Sequence, residues 1–206
     1  MPKKGVFILI FDDVEVLDFA GPFEVFSVTD ELNSHALFDI KTVSPMGETI
    51  TAKNGLSVNP DRTIPEVKSA DILIVPGGWG VRALLNQDDV TGWIGSMAKT
   101  AELVLSVCTG SMLLARAGLL KGLRATTHHS VMDEFAAMSP ETEIERGERF
   151  VDNGKVITAA GISAAMDMSL YVVERLFGRE TADRTAAYME YRIESTTTRT
   201  SLVACD

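Results

Sequence analysis

The chain has 206 residues, of which 46% are hydrophobic and 23% are charged, and its formal net charge at pH 7 is −10. This length and composition are typical of one globular domain, and the negative charge disfavours nucleic acid or an anionic membrane as a partner because both require a basic surface. No stretch approaches the roughly 20 uninterrupted apolar residues that a membrane-spanning helix needs.

Short apolar runs alternate with helical patterns along almost the whole chain. The first run, residues 6–11, ends at Asp12 and Asp13 without a small-residue cleavage site, which predicts a buried strand of a cytoplasmic protein rather than a signal sequence. Further strands are predicted at 38–43, 56–58, 71–75, 103–107, 124–127, 150–151 and 156–158, with turn signals at 54–55 and 152–154. Helices are predicted at 19–30, 89–99, 109–117, 163–177 and 180–191, with Pro22 in the first turn of the first helix.

This alternation predicts an α/β domain with a doubly wound, mostly parallel sheet flanked by helices. We expect a single domain over residues 1–194 and a loose polar tail over residues 195–206. Cys205 falls in that tail. With two cysteines in the whole chain, no disulfide framework is indicated.

Cys108 stands at the corner between a predicted strand and a predicted helix. It follows the apolar run 103–107 directly, and Thr109 and Gly110 lead into the helical pattern. Such a corner exposes its central side chain at the carboxyl edge of the sheet, and the N-terminus of the next helix favours a thiolate there. The pattern fits a nucleophile, with a small buried hydrophobe, the commoner role of cysteine, as the alternative.

Residues 76–80, Pro-Gly-Gly-Trp-Gly, follow a predicted strand and precede a helix. Gly77 and Gly78 would let backbone N–H groups approach a ligand closely, although a tight strand-to-helix turn explains them equally well. The segment is not a G-x-G-x-x-G fingerprint and no G-K-[ST] follows it, so nucleotide binding is poorly supported. Trp79 is expected to pack against the fold, with the border of a pocket as the alternative.

Asp18 follows the first predicted strand and therefore lies at the same edge of the sheet. An N-cap of the following helix is the favoured interpretation, with a proton donor or acceptor beside Cys108 as the alternative. His128 and His129 end a predicted strand; a histidine there can pair with a cysteine nucleophile but more often makes a structural hydrogen bond. No cluster of Cys, His and Asp has metal-ligand spacing, so no metal is expected.

Five motifs taken together resemble a known family. They are residues 17–22 (LDFAGP), 75–78 (VPGG), 106–111 (SVCTGS), 125–128 (ATTH) and 160–167 (AGISAAMD). Their order and spacing resemble the ThiJ/PfpI superfamily of class I glutamine amidotransferase-like proteins, over nearly the whole chain to the vicinity of residue 190. Within it, the combination of LDFAGP with SVCTGS is most similar to isocyanide hydratases. Both motifs also occur in sensor domains of AraC-type transcription regulators, whose C-terminal helix-turn-helix region this chain is expected to lack because it stops too soon.

The resemblance implies a flavodoxin-like sandwich with a nucleophile elbow, and it assigns catalytic roles. Cys108 would be the nucleophile, Asp18 its acid–base partner, and Thr109 the following residue, where peptidase-like members carry histidine. The implied reaction is hydration of an isocyanide, a hydro-lyase reaction. The Cys108 thiolate attacks the terminal carbon, a thioimidate forms, and water activated by Asp18 releases an N-substituted formamide. No metal or organic cofactor is required.

The resemblance also implies the substrate site and the assembly. The partner is a small-molecule substrate, and family members are usually dimers, so a homodimer is expected. The Thr109 hydroxyl and the Gly78 backbone would position substrate or water. The substrate-binding candidates are Gly77, Gly78, Trp79, His128 and Ile162.

Two other functions stay open at this point. A glyoxalase-like or deglycase-like enzyme would attack an α-oxoaldehyde through Cys108 and form a hemithioacetal. A non-catalytic redox or ligand sensor would instead use an accessible Cys108 that is oxidised to sulfenic or sulfinic acid.

Overall fold

A computed structural model describes residues 2–192 and arranges them around one seven-stranded sheet. The strands are β1 (Lys4–Leu9), β2 (Phe38–Ser44), β3 (Ile50–Thr51), β4 (Ser57–Val58), β5 (Arg62–Thr63), β6 (Ile72–Val75), β7 (Leu103–Val107), β8 (Arg124–Ala125), β9 (Glu143–Ile144), β10 (Phe150–Asp152) and β11 (Val156–Ala159). The helices are α1 (Val16–Leu32), α2 (Val81–Leu84), α3 (Asp88–Thr100), α4 (Gly110–Arg116), α5 (Met132–Met138), α6 (Ala164–Phe177) and α7 (Arg179–Tyr188). Cys205 and the predicted tail lie outside the described residues, so the domain boundary at residue 194 stays a prediction.

The large sheet has the strand order β10-β11-β7-β6-β1-β2-β5. Its neighbouring strands are all parallel except β10 and β11, which form the hairpin predicted from the turn signal at residues 152–154. The parallel strands β2-β1-β6-β7-β11 have the order of a flavodoxin-like sheet. The doubly wound, mostly parallel α/β fold predicted from the sequence is confirmed.

Helices cover both faces of this sheet, as right-handed connections between parallel strands require. The chain moves from β1 to β2 in one direction and from β6 through β7 to β11 in the other, so the crossover helices of the two halves lie on opposite faces. Accordingly, α1 packs with α6 and α7, whereas α4 packs with α2 and α3. The two halves diverge at β1 and β6, and the crevice at the carboxyl ends of such strands is where open α/β sheets bind ligands.

Coverage on both faces explains the composition of the central strands. All positions of β6 (ILIV) and β7 (LVLSV) are buried, as expected for parallel strands between two helical layers. The core continues under α1, where Phe38 contacts Phe26 and Phe177 edge to face at centroid distances of 5.0 and 5.3 Å. This packing holds the ends of the strands, and therefore the loops that follow them, in defined positions.

Several predicted boundaries are wrong. α1 begins at Val16, before the predicted start, so Pro22 lies in the helix interior rather than in the first turn. β1 ends at Leu9 and α7 ends at Tyr188, both earlier than predicted. The short elements α2, α5, β3, β5 and β9 were not predicted, because such short elements leave too little periodic pattern to detect. Within residues 2–192, none of the helices has the length and apolar content that crossing a membrane would take.

Candidate active site

Cys108 occupies a strained corner between β7 and α4. Its φ is 55°, in the left-handed region that a residue with a side chain rarely adopts. The Cys108 N–H donates to the carbonyls of Ala159 and Ala160 at 3.1 and 2.9 Å. The Cys108 carbonyl accepts hydrogen bonds from the hydroxyls of Thr127 and Ser111 at 2.9 and 3.1 Å. These bonds hold the sharp strand-to-helix corner that the sequence predicted.

Two glycines allow the neighbouring segments to pass close to this corner. A Cβ on Gly110 would lie 2.0 Å from the carbonyl oxygen of Val75, and a Cβ on Gly77 would lie 2.5 Å from the backbone nitrogen of Thr109. Neither position has room for a side chain, since real Cβ atoms do not approach other atoms within 3.0 Å. The glycines therefore bring the loop after β6 directly against the elbow.

Asp18 lies on the first turn of α1, and its side chain is fully buried. Its Oδ2 atom accepts a 3.0 Å hydrogen bond from the Gly77 N–H, and Oδ1 has no hydrogen-bond partner among the described residues. The favoured interpretation of Asp18 as an N-cap is therefore wrong. Glu15 is the N-cap residue, because the helix begins at Val16, and Asp18 interacts with the Cys108 thiol instead.

Burial dominates the protonation of the Asp18–Cys108 pair. It raises the pKa of Asp18 to about 7, against the lowering effect of the Gly77 N–H. It also raises the pKa of Cys108 to about 12, with the Asp18 charge as the second cause and hydrogen bonding to Thr109 acting in the opposite direction. Desolvation of the thiol thus opposes the stabilisation of a thiolate that the helix N-terminus is expected to give, and the pKa of Cys108 is raised. Between these two pKa values the coupled pair holds one proton.

Thr109 is bonded to the loop after β6. Its hydroxyl accepts from the Gly78 N–H at 3.0 Å and donates to the Gly78 carbonyl at 3.1 Å. Gly78 has a φ of 133°, and a Cβ there would lie 2.3 Å from the carbonyl oxygen of Asp13. The Thr109 hydroxyl, expected to position substrate or water, thus holds the loop that carries Gly77 and Gly78 against the elbow.

His128 makes a local hydrogen bond and also lines the cavity beside Cys108. Its Nδ1 atom lies 2.8 Å from Ser130 Oγ and accepts from the Ser130 N–H at 3.3 Å, so the ring hydrogen of the neutral form is on Nε2. Burial lowers the pKa of His128, followed by the effect of the neighbouring His129. The ring packs against Gly161, where a Cβ would lie 2.3 Å from the ring carbon Cδ2.

The elbow opens into a cavity of about 460 Å³ at the carboxyl edge of the sheet. Asp18 and Gly77 lie behind its wall, where they bind each other. Ile162, with a φ of 47°, lies at the entry to α6. No group of three His, Cys, Asp or Glu side chains that could hold a metal is found in residues 2–192. The predicted site residues that line the cavity are Gly78, Trp79, Cys108, Thr109, His128 and Ile162.

Charged side chains at the mouth of this cavity were not predicted from the sequence. Glu15 and Lys53 form an ion pair at 2.7 Å, and the Arg82 guanidinium stacks over the Trp79 ring at 4.3 Å. Trp79 is 67% exposed, so the expectation that it packs against the fold is wrong. Glu15 and Lys53 are 38 positions apart, and no local pattern links them. Only the fold brings them together.

The chain is similar to characterised proteins. It is 34% identical over 183 residues to isonitrile hydratase of Pseudomonas putida, and the alignment covers 89% of this chain and 76% of that protein. It is 28% identical over 177 residues to the HTH-type transcriptional regulator GbdR of Pseudomonas aeruginosa. That alignment covers 86% of this chain but only 48% of the regulator. It is 28% identical over 140 residues to the glutathione-independent glyoxalase DJR-1.2 of Caenorhabditis elegans, covering 65% of this chain and 70% of that protein.

Comparison of the fold with solved structures identifies a related protein as well. A ThiJ/PfpI family protein from Pseudomonas syringae matches with a TM-score of 0.84 at 27% sequence identity, over 98% of this chain and 80% of that chain. The DJ-1/PfpI family model matches residues 4–175. The resemblance inferred from the five motifs is thereby confirmed, and the chain belongs to the DJ-1/PfpI family.

Proposed function

We propose that this protein is a cysteine-dependent isocyanide hydratase, which converts an isocyanide and water into an N-substituted formamide. The observation that carries the proposal is the Asp18–Cys108 pair, in which one fully buried carboxyl group with a pKa of about 7 interacts with a thiol at the elbow. A carboxyl group that titrates near neutral pH can serve as acid and as base within one cycle. The similarity to isonitrile hydratase supports the substrate class, since isonitrile and isocyanide name the same group.

In the first step the pair reacts in the form that has its proton on Asp18. The Cys108 sulfur forms a bond to the terminal carbon of R–NC, and Asp18 gives its proton to the same carbon. The product is a thioimidate, R–N=CH–S–Cys108, beside an ionised Asp18. Burial of that carboxylate makes it a stronger base for the next step.

In the second step Asp18 takes a proton from water, and the resulting hydroxide adds to the thioimidate carbon. Asp18 passes that proton to the substrate nitrogen, which yields R–NH–CH(OH)–S–Cys108. The C–S bond then breaks, the hydroxyl proton moves to Asp18, and R–NH–CHO leaves. The sum is R–NC plus H₂O giving R–NH–CHO, and the pair regains its single proton.

The neighbouring residues support this chemistry in three ways. Hydrogen bonding to Thr109 stabilises negative charge on the Cys108 sulfur, since it lowers the pKa of the thiol. His128 provides an Nε2–H donor at the cavity wall for water or the substrate nitrogen. Ile162 supplies an apolar contact for the substituent R, and Trp79 borders the entrance.

A second candidate function is supported by the similarity to the glutathione-independent glyoxalase. Cys108 would then attack the aldehyde carbon of an α-oxoaldehyde and form a hemithioacetal, with Asp18 protonating the oxygen. The higher identity to isonitrile hydratase, over a larger part of this chain, favours isocyanide hydration as the first candidate.

A substrate panel distinguishes the two candidates. Wild type, Cys108→Ala and Cys205→Ala are compared at matched concentration with an aromatic isocyanide and with methylglyoxal. We expect formamide production that falls by more than about 10³-fold in Cys108→Ala and is unchanged in Cys205→Ala, the matched thiol control. Full isocyanide hydration by Cys108→Ala would contradict the covalent mechanism. Turnover of methylglyoxal alone would favour the glyoxalase.

A further inference from the structure

One wall of the cavity carries an ion pair that the reaction above does not use. Glu15 Oε2 accepts a hydrogen bond from Lys53 Nζ at 2.7 Å, and both side chains line the cavity with Cys108. The Glu15 side chain is 17% exposed and the Lys53 side chain 48% exposed, so the carboxylate is the more enclosed partner. An ion pair in this position acts on the reacting groups through a partly desolvated medium, where charges are screened less than in water.

Backbone hydrogen bonds hold both partners of the pair beside Asp18. The Glu15 N–H donates to the Gly77 carbonyl at 2.9 Å, and the Asp18 N–H donates to the Glu15 carbonyl at 3.1 Å. The Lys53 N–H donates to the Val14 carbonyl at 3.0 Å. The tip of the β3–β4 hairpin is therefore fastened to the start of α1, one helical turn from the carboxyl group that exchanges protons.

We propose that the Glu15–Lys53 pair sets the pH range in which the Asp18–Cys108 pair reacts, with Glu15 as a positioning residue for the proton on Asp18 and Lys53 as the opposing charge. The inference deepens the proposed function, because it rests on Asp18 as the group that donates and accepts protons.

The two charges act on the reacting pair with opposite signs. The Glu15 carboxylate raises the pKa of Asp18 and of Cys108, and the Lys53 ammonium lowers the pKa of Asp18. In return, the pKa of Lys53 is raised, most of all by Glu15 and to a smaller extent by Cys108 and Asp18. With both partners present the two effects oppose each other, and with one partner absent the other acts alone.

The other charged groups around the cavity are placed differently. His128 faces the Glu15–Lys53 pair from the loop after β8. Burial lowers the pKa of His128, so its ring is neutral at the upper end of the pH range in which Asp18 titrates. Asp13 is exposed at the rim, and Arg82 is bound to Glu134 at 3.0 Å. Glu15 and Lys53 are thus the charged groups that act on the pKa of Asp18 with opposite signs.

This arrangement makes the two single substitutions act in opposite directions. Glu15→Gln leaves the Lys53 ammonium uncompensated and weakens proton binding by Asp18. Lys53→Met leaves the Glu15 carboxylate uncompensated and strengthens it. The double variant removes both charges and returns proton binding toward that of the wild type. A pair that serves only to fasten the hairpin would weaken the fold in all three variants without moving a pH profile.

The experiment measures alkylation of Cys108 by iodoacetamide between pH 5 and pH 10, a readout that needs no substrate. The rate should rise as the Asp18–Cys108 pair loses its first proton, near pH 7, because the singly protonated pair includes the form with a thiolate and a protonated Asp18. We expect the midpoint of the rate profile to fall by about half a pH unit in Glu15→Gln, equivalent to about a threefold change in rate below the midpoint. It should rise by a similar amount in Lys53→Met, and in the double variant it should lie between the two. Lys53→Arg keeps the charge and should keep the wild-type midpoint.

Two controls separate this inference from a folding effect and from the proposed function. Glu141→Gln removes the acid of the exposed Lys121–Glu141 pair and should leave the midpoint unchanged. Urea unfolding identifies any variant that has lost its fold, and Glu15→Asp then tests whether a retained charge restores the midpoint. Shifts in the same direction, or no shift in either single variant, would overturn the inference. The expected shifts in a protein without isocyanide turnover would sustain it and reject the proposed function.

Discussion

Replacing Asp18 by asparagine should stabilise the protein above neutral pH relative to acid pH, while it removes the proposed activity. Burial raises the pKa of Asp18 from 3.8 to about 7. Between these values the unfolded chain has released the proton while the folded protein retains it. The folded state therefore loses stability as the pH rises through this range. Asparagine keeps the shape of the side chain and an acceptor for the Gly77 N–H, but it does not titrate.

The size of the effect follows from the pKa difference. A difference of about 3 units corresponds to roughly 4 kcal/mol of unfolding free energy above pH 7, and about 3 kcal/mol of it develops between pH 4.5 and pH 8. The new amide N–H next to the thiol lacks a good acceptor, which costs about 1–3 kcal/mol at every pH. The informative quantity is therefore the change with pH in the stability difference between Asp18→Asn and wild type.

Urea unfolding followed by circular dichroism at pH 4.5, 6 and 8 measures this difference. We expect the stability of Asp18→Asn relative to wild type to increase by about 3 kcal/mol from the lowest to the highest pH. Glu24→Gln, which removes an exposed acid on the same helix, is measured alongside as the matched control. Parallel pH curves for Asp18→Asn and wild type would refute the argument, since they would mean that Asp18 titrates alike in both states. Asp18→Asn should also lose isocyanide hydration activity by about 10²–10⁴-fold.

The remaining predictions concern the loop that packs against the elbow. Thr109→Val removes both hydrogen bonds to Gly78 and should lower the unfolding free energy by about 1–3 kcal/mol, whereas Thr109→Ser should stay near wild type in urea unfolding. Gly77→Ala forces a Cβ to 2.5 Å from the Thr109 nitrogen and should lower the melting temperature, while Gly92→Ala in α3, with open space around its Cβ, should raise stability by about 0.5–1 kcal/mol. Equal melting temperatures for the two alanine variants would contradict the steric argument.

Much of the fold could be predicted because it depends on local patterns. The strand Leu103–Val107 was predicted with its observed bounds, since a short, mostly apolar run indicates a strand buried on both faces. α1 was placed too late because Pro22 suggested a first turn, yet the helix tolerates this proline in its interior. That error moved Asp18 from the first turn of the helix to its cap, so one misplaced boundary changed the expected role of a side chain.

The amino-acid sequence by itself determined the parallel sheet, the position of the elbow and membership of the family, because these follow from apolar periodicity and from the order of short motifs. Only the tertiary structure decided that the Asp18 carboxyl group is buried beside Cys108, that the Thr109 hydroxyl is bound to Gly78, and that a charged pair flanks the site. The physical reason is that desolvation and electrostatic fields depend on groups distant in the chain. Asp18 meets the Gly77 N–H across 59 positions, and Glu15 meets Lys53 across 38.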